Sequence, residues 1–594
     1  SYNNLTFRDG TNVVSSGTAV NPAVPVGFQG GTKNKTDTFQ YAAGAIWDVG
    51  RLKLSADIAR TKSQFRGSTA SVDFAVRDGT PMTVNFDHEV PEFSFTGFDP
   101  TNPANYVFRG FYEEDQASKG DDWQIRLDGD YDTGLEFLPQ IEAGVRWTDR
   151  DAFRRFGNRY RENRFLQIPI SSVPLEYELF RSGFRGTDVQ SGFRTWPSPT
   201  FGSIRDGLVD LRQLVINNPF GFSFGNWTVG QPQPNPDSIY SASEKTLAGY
   251  VQAHYKIGDI VDGVFGLRAV RTKSQVDGNS IVNGVVTPVN AGNEYTDWLP
   301  NASARIRFTS QLQLRLSATQ TRTKPTFGQL NPSASLGPPT GSCTPAGTST
   351  TSDPFGCARR GGGGNPFLQP FDSNNYDASL EYYFSRTGFL AAAVFRRDLK
   401  GFIQNRELRY IDPVLGPLIV NGPVNTNRGR IDGAELQAST FFDWEWMPGF
   451  LRNFGAQANV TYLDTEVDDP IGQGITARRI LGVSKWTYNL VGMFEGYGLS
   501  ARLSYNKRGK TLETIQNRGD DLYYEFGKPA GRLDLSTSYN FNDKFTVFFD
   551  WTNILNDPYR QDFSSARGGA PRADYVRFLR YEEQTFSLGV RARL

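Results

Sequence analysis

The residues best suited to bind a ligand lie in one long irregular stretch, residues 149–244. The side chains that we single out there are rings with charged neighbours: Trp196, Phe220, Phe222, Phe224, Trp227, Arg194 and Asp237. Exposed rings can stack on the C–H faces of sugars, while Arg and Asp hydrogen-bond the hydroxyls. This combination predicts a carbohydrate-binding surface. The alternative left open is that the same rings only pack the stretch against itself and its surroundings.

A short helix is expected inside this stretch. Ile204, Leu208, Leu211 and Val215 follow one another at helical spacing. This periodicity predicts an amphipathic helix over residues 203–217.

A second stretch of interest, residues 322–373, contains the only two cysteines of the chain, Cys343 and Cys357. Their proximity in a polar segment predicts a disulfide that clips a loop, and hence an oxidising compartment. Closing a loop of about 15 residues stabilises by roughly 3 kcal/mol in the chain-entropy model. Two free thiols are the alternative.

Catalytic or metal-binding groups are scarce. The chain has only 2 histidines, far from the cysteines, and no Gly-x-Ser-x-Gly elbow in a suitable context. The glycine run at 361–364 lacks the Lys-Ser/Thr of a phosphate-binding loop. We therefore expect no enzyme activity, no catalytic residue, no cofactor and no metal site.

The elements that must position these residues are strands. The last ten residues alternate cleanly, with Phe586, Leu588 and Val590 on one side and Ser587 and Arg591 on the other. The chain is also rich in Tyr (25), Phe (45) and Gly (61), which favours many strands joined by turns.

Composition excludes several classes of protein. No apolar run approaches the roughly 20 residues of a membrane helix, and the mean hydropathy is -0.47. Lys and Arg (63) equal Asp and Glu (63), which argues against a nucleic-acid partner.

Three patterns distinguish a membrane barrel from a soluble sandwich. Paired strands are joined by tight turns, whereas successive pairs are separated by long loops. Aromatic residues crowd the strand ends near the turns, as in an interfacial girdle. The polar face of many strands carries Arg or Lys, which would cost about 2–4 kcal/mol each against lipid and so must line a wet interior.

The predicted strands number about nineteen. They form nine pairs, among them 70–77 with 81–88 and 120–131 with 137–148, followed by a terminal strand over 575–594. The predicted fold class is therefore all-β: a transmembrane antiparallel β-barrel with short periplasmic turns and long extracellular loops at 149–244 and 322–373.

Four segments resemble the barrel of TonB-dependent outer-membrane receptors. They are NPFLQPFDSNNY at 365–376, KP at 324–325 with LNP at 330–332, GRIDGAEL at 429–436 and WTNILN at 551–556. The glycine and aromatic pattern is similar to the Xanthomonas/Caulobacter-type branch. Two departures are Phe371 or Asp372 where the family has Glu, and a terminal Leu594 where it has Phe.

The resemblance implies a barrel of about 22 strands in the bacterial outer membrane, in contact with its lipids. Residues 1–594 would then be barrel, and the N-terminal plug of the family is not recognisable, so we expect it and the first strands to be missing. The resemblance also implies energised uptake of a scarce nutrient, with the TonB-ExbB-ExbD complex acting through the plug. We expect the nutrient to be an oligosaccharide.

Three other functions stay open from the sequence. A siderophore-iron receptor would collect Arg and Tyr at its mouth for an anionic chelate. A plugless passive porin or structural barrel would need no TonB. A soluble β-rich binding protein would need no detergent.

Overall fold

The computed structural model describes residues 2–10, 13–19, 26–87, 92–181, 195–219, 221–344, 349–426, 428–468, 479–517, 522–566 and 572–593. These residues form thirty-two β-strands and three short α-helices. Within these ranges, no helix has the length and apolar character needed to cross a membrane.

Most of the described chain belongs to one large antiparallel sheet, which forms the barrel wall. Seventeen strands pair in succession along it: β3 Val26–Val49, β4 Leu52–Val76, β7 Tyr106–Asp132, β8 Gln140–Glu162, β12 Tyr240–Ile257, β13 Val261–Val282, β14 Val285–Arg307, β15 Leu312–Thr323, β18 Phe371–Tyr382, β19 Phe389–Lys400, β22 Arg428–Phe441, β23 Phe454–Val467, β24 Trp486–Gly496, β25 Leu499–Arg508, β28 Ala530–Asn540, β29 Phe545–Thr552 and β32 Thr585–Ala592.

The remaining elements lie in the connections between these strands. Five strands extend the same sheet: β11 Ser223–Phe224, β16 Ala334–Gly341, β17 Cys357–Gly363, β20 Ile403–Asp412 and β21 Gly416–Asn425. Three small sheets contain β1 Tyr2–Phe7, β2 Val14–Ala19, β5 Met82–Asn85 and β6 Glu92–Phe95; β9 Tyr177–Arg181 and β10 Thr195–Pro199; and β26 Thr511–Asn517, β27 Leu522–Gly527, β30 Tyr559–Ser565 and β31 Ala573–Arg580. The helices are α1 Phe201–Asp206, α2 Leu208–Asn217 and α3 Phe327–Leu330.

The register separates the wall into two chemically different faces. Side chains alternate along a strand, and residues opposite each other on neighbouring strands share a face. Leu127 lies opposite Val145, whereas the adjacent Arg126 lies opposite Arg146. Leu127 and Val145 are about half exposed, at 50% and 49%. We call the apolar side the outer face and the charged side the lumen face.

Exposed aromatic residues border the apolar band of the outer face at both ends. The row far from the short turns includes Trp123, Trp298, Trp486 and Phe586, and the row near the turns includes Trp47, Tyr131, Tyr382, Phe454 and Phe545. On β7 the two rows are eight residues apart, about 26 Å of strand. That matches the ~25 Å apolar band and aromatic girdles of outer-membrane barrels, so the predicted all-β barrel fold is confirmed.

The wall contains seventeen paired strands among the described residues, where nineteen were predicted. The difference is the predicted pair 70–77 with 81–88. Residues 70–76 are the end of the long strand β4, and β5 pairs instead with β2 in a small sheet. The alternation of apolar and polar residues predicts an extra membrane-spanning pair here, because a strand that continues above the apolar band can show the same alternation as a membrane strand.

The predicted helix over 203–217 is two helices, α1 and α2, interrupted at Gly207. Glycine is, after proline, the residue least favourable to a helix interior. Ile204, Leu211 and Val215 are all 0% exposed and pack against Phe111 of the wall. Phe111 is twelve residues from Trp123 along β7, hence on the same, outer face. The helices therefore cover the outside of the wall above the apolar band.

The predicted disulfide between Cys343 and Cys357 is present. It joins the ends of a loop between β16 and β17, next to the pairing of Gly341 with Cys357. We expect Cys343→Ser with Cys357→Ser to make this loop far more sensitive to protease, because about 3 kcal/mol of loop closure is lost. Limited proteolysis with mass spectrometry tests this. An unchanged cleavage rate around residues 341–357 would contradict it.

Candidate functional site

The candidate site lies where β8 rises beyond the apolar band. There the short strand β11 pairs with β8, and Phe224 lies opposite Tyr160. Tyr160 is fourteen residues from Arg146 along the same strand, so both belong to the lumen face. Phe224 and Tyr160 therefore face the inside of the mouth.

Three rings form a cluster at this point, which we call the mouth rings: Tyr160, Phe222 and Phe224. Ring centroids are 6.5 Å apart for Tyr160–Phe222, 6.2 Å for Tyr160–Phe224 and 6.0 Å for Phe222–Phe224. Phe222 is 62% exposed and Phe224 is 38% exposed. Apolar ring surface that no other part of the described chain covers is available to a ligand.

Carboxylates of β4, β7 and β8 lie near Tyr160 on the lumen face. The Tyr160 hydroxyl donates to Asp73 at 3.0 Å, and the Tyr112 hydroxyl donates to Glu114 at 2.8 Å. Glu162 forms an ion pair with Arg109 at 3.2 Å. Three carboxylates against one guanidinium give this side of the mouth a negative balance when all are ionised. Such groups accept hydrogen bonds from hydroxyls and repel anions.

Gly110 makes the arrangement possible. It lies beside Tyr160, and a Cβ at this position would approach the Tyr160 hydroxyl oxygen to 2.6 Å. Any other residue would displace the ring from its place beneath β11.

Asp73 has a perturbed acidity. It lies fifteen residues beyond Ile58 on β4, about 50 Å of strand, and therefore well outside the apolar band. Burial raises the pKa of the Asp73 carboxyl above its ordinary value of 3.8, although the hydrogen bond from Tyr160 and the charge of Arg109 oppose the rise. The folded protein is thus less stable with the Asp73 carboxylate ionised than with it protonated.

Replacement of Asp73 by Asn tests this cost. Because the folded pKa is raised, the stabilisation from protonated Asp73 is complete below about pH 3.8 and disappears as the pH rises through the raised pKa. We expect a downward step in the unfolding temperature of the wild type above pH 3.8. The Asp73→Asn variant, which keeps an oxygen acceptor for Tyr160, lacks this step. Equal pH profiles for the two proteins would refute the assignment.

A second charged group, which we call the Glu113 cluster, holds helix α2 on the wall. Glu113 (3% exposed side chain) forms ion pairs of 2.6 Å with Arg159 (1%) and with Arg212 of α2 (8%). Arg159 also donates to the carbonyls of Asn226, Thr228 and Gly230. The cluster lies on the outer face, so it positions the segment that leads to the mouth rings without touching their ligand side.

The residues predicted from the sequence are only partly brought together. Phe222 and Phe224 meet in the mouth rings. Trp227 instead packs on the outer face, with the Arg159 guanidinium 4.7 Å and the Arg161 guanidinium 5.5 Å from its ring centroid. This is the packing alternative left open above.

Two other predicted residues, Trp196 and Asp237, make their contacts away from the mouth rings. Trp196 packs against Phe180, with centroids 5.1 Å apart, and against a buried apolar cluster that includes Ile170. The Asp237 carbonyl accepts a hydrogen bond from Asn331 at 3.2 Å. Phe220 and Arg194 lie outside the described residues. The sequence reasoning missed Asp73, Tyr112, Glu114, Tyr160 and Glu162.

The lumen face lower in the wall carries charge but no metal-ligating group of three or more residues in the ranges described. His254 of this face lies 2.8 Å from Glu142. Arg146 and Arg268 form no ion pair with a described carboxylate. Arg126, Arg146 and Arg268 border a cavity of about 650 Å³.

The sequence of this chain matches the model of one protein family. The family model described as "TonB dependent receptor-like, beta-barrel" matches residues 66–554. No curated protein sequence matches the chain.

Several solved structures are similar at low identity. The FpvAI–pyocin S2 complex has 12% identity and a TM-score of 0.48, over 94% of this chain and 66% of that one. The siderophore receptor PiuA from Acinetobacter baumannii has 11% identity and a TM-score of 0.46, over 97% of this chain and 78% of that one. The ferric-catecholate import receptor Fiu from E. coli K12 has 10% identity and a TM-score of 0.49, over 97% of this chain and 79% of that one. This chain thus spans just under two thirds of the length of the matched chain in the FpvAI–pyocin S2 complex.

Proposed function

Since the chain belongs to the TonB-dependent receptor β-barrel family, and is thus an outer-membrane protein, we propose that it takes up a neutral oligosaccharide across the bacterial outer membrane. The uptake is energised by the TonB-ExbB-ExbD complex through a plug domain. The ligand first binds at the mouth rings.

The observation that carries this proposal is the pairing of exposed rings with carboxylates. Phe222 and Phe224 offer ring faces for the C–H groups of a pyranose. Glu114 and Glu162, next to them on the lumen face, have lone pairs for its hydroxyls. The negative balance of this side disfavours anionic ligands and leaves neutral sugars at no electrostatic disadvantage.

A siderophore-iron receptor is the second candidate, and a different observation favours it. Arg146 and Arg268 face the lumen without an ion-pair partner among the described residues. An anionic iron chelate would gain from such guanidinium groups once past the mouth. The two candidates differ in where the ligand meets cations, and hence in the salt dependence of binding.

Uptake by cells tests the proposed function. Cells with and without the receptor gene are given radiolabelled neutral oligosaccharides (cello-, xylo- and malto-series), with and without a protonophore. We expect receptor-dependent accumulation of one series that the protonophore abolishes. Accumulation that persists with the protonophore would indicate a passive porin. Receptor-dependent uptake of a ferric chelate alone would indicate the second candidate.

A further inference from the structure

The mouth rings are spaced so that one small group can lie near all three of them. Their centroids, 6.0–6.5 Å apart, define a circle of about 3.6 Å radius. A group about 4 Å above the centre of this circle lies within the ~6 Å over which a ring attracts a cation. The ring planes are inclined by 35–60° to one another, so the rings do not lie flat on each other. A single cation at this place would interact with three rings at once.

Three carboxylates lie near Tyr160 on the same lumen face. Glu162 follows Tyr160 by two residues on β8, and its amide donates to the Phe222 carbonyl at 2.8 Å. Asp73 accepts a hydrogen bond from the Tyr160 hydroxyl at 3.0 Å. Glu114 lies two residues along β7 from the residue opposite Tyr160. Residues two apart on a strand share a face, so the carboxylates and the rings meet on the ligand side of the wall.

The positive charge beside the rings is smaller than the negative charge. Arg109 forms an ion pair with Glu162 at 3.2 Å. Arg161 belongs to the opposite face, where its guanidinium lies 5.5 Å from the centroid of the Trp227 ring. Burial raises the pKa of Asp73, and the charge of Glu162 raises it further, as expected for two carboxylates close to each other. A further positive charge at this place would relieve their repulsion.

A protonated amine matches both the rings and the carboxylates. The negative faces of the rings attract a cation, and the carboxylates accept charge-assisted hydrogen bonds from its N–H groups. From the ring geometry and the charge balance we propose that the mouth rings bind an oligosaccharide with a protonated amino group on the stacked sugar more tightly than the neutral one. This inference rests on the proposed function and adds cationic amino sugars to its ligand class. Neutral sugars still stack on Phe222 and Phe224, without the added attraction.

Two ligands that differ at the amino group test this preference. A fully deacetylated chito-oligosaccharide carries free amines, whereas the fully acetylated form of the same length is neutral. Titration calorimetry on the purified chain is done at about pH 6, where glutamates are ionised and an amine with an ordinary α-amino pKa of about 7.7 is protonated. At about 0.05 M salt we expect the deacetylated form to bind about tenfold more tightly. The advantage should shrink towards one at about 0.5 M salt, because the charges are screened.

Carboxylate variants connect the preference to the mouth. In Glu114→Gln with Glu162→Gln, the ratio of the two affinities should fall to about one, because two negative charges are lost and Arg109 is left without its ion-pair partner. Glu178→Gln is the matched control, since Glu178 is an exposed carboxylate on β9, in a separate small sheet. There the ratio should stay about tenfold. Heat-modifiable electrophoretic mobility verifies that each variant is folded.

The outcomes separate this inference from the proposed function. Equal affinities of the two forms for the wild type would overturn the preference and leave the uptake of neutral sugars standing. Equally tight binding of spermidine, an amine without a sugar, would overturn the assignment of the ligand as an amino sugar. A ratio that stays near ten in the double variant would overturn the role of the carboxylates. If no saccharide bound, neutral or amino, both the inference and the proposed function would fail.

Discussion

Replacement of Glu113 by Gln releases helix α2 from the barrel wall and raises hydrogen exchange across residues 208–217 by about 100- to 4,000-fold. Breaking a buried ion pair by removing one partner costs about 3–5 kcal/mol, because the remaining charge is left buried and uncompensated. Here two guanidinium groups, Arg159 and Arg212, lose the carboxylate they share. At about 1.4 kcal/mol per factor of ten, the cost corresponds to the expected change in exchange.

The effect should stay local, since the wall itself is held by its backbone ladder. Asp115→Asn is the matched control: Asp115 lies two residues along the same strand and face, and its pair with Arg155 is longer, at 3.8 Å, and more exposed. Exposed pairs of this kind contribute about 0–1 kcal/mol, so exchange over 208–217 should change little. Similar exchange in the two variants would show that the Glu113 cluster does not hold α2.

The second large effect concerns ligand binding. We expect Phe222→Ala and Phe224→Ala each to weaken oligosaccharide binding by about 30-fold and the double variant to abolish measurable binding, because aromatic anchors of this kind contribute about 2 kcal/mol or more each. Phe578→Ala is the control, since Phe578 is a comparably exposed ring (46%) on a separate extracellular sheet. Titration calorimetry on the purified variants measures the change. Undiminished binding by the double variant would place the ligand elsewhere.

The membrane part of the fold could be predicted because lipid and water impose opposite demands on alternate residues. The two faces of a strand can be recognised from neighbouring residues alone, such as Leu127 beside Arg126 or Leu588 beside Ser587. Hairpins at the periplasmic end were also predictable, since a wall strand must end there.

The candidate site was less accessible to sequence reasoning because β8 shows no alternation of apolar and polar residues above the apolar band. The sequence predicts that this strand ends at residue 148, yet β8 continues to Glu162. Residues 150–162 carry charges at both odd and even positions, so no alternation marks them as strand. The sequence therefore predicts a loop for Tyr160 and Glu162.

The remaining contacts of the candidate site depend on the long-range register of the wall strands. Asp73 meets Tyr160 only because β4, β7 and β8 remain in pairing over more than twenty residues. Trp227 looked as exposed as Phe222 in the sequence, but Arg159 and Arg161 lie against its ring in the structure. No local pattern encodes either contact.

The most direct test of the central claim is a calorimetric titration of the purified receptor with neutral oligosaccharides and, separately, with a ferric catechol chelate. The account predicts saturable binding of one oligosaccharide series. Its affinity should be unchanged between 0.05 and about 0.5 M salt, because no ion pair forms with a neutral ligand. Binding of the ferric chelate alone, with an affinity that falls as salt rises, would contradict it.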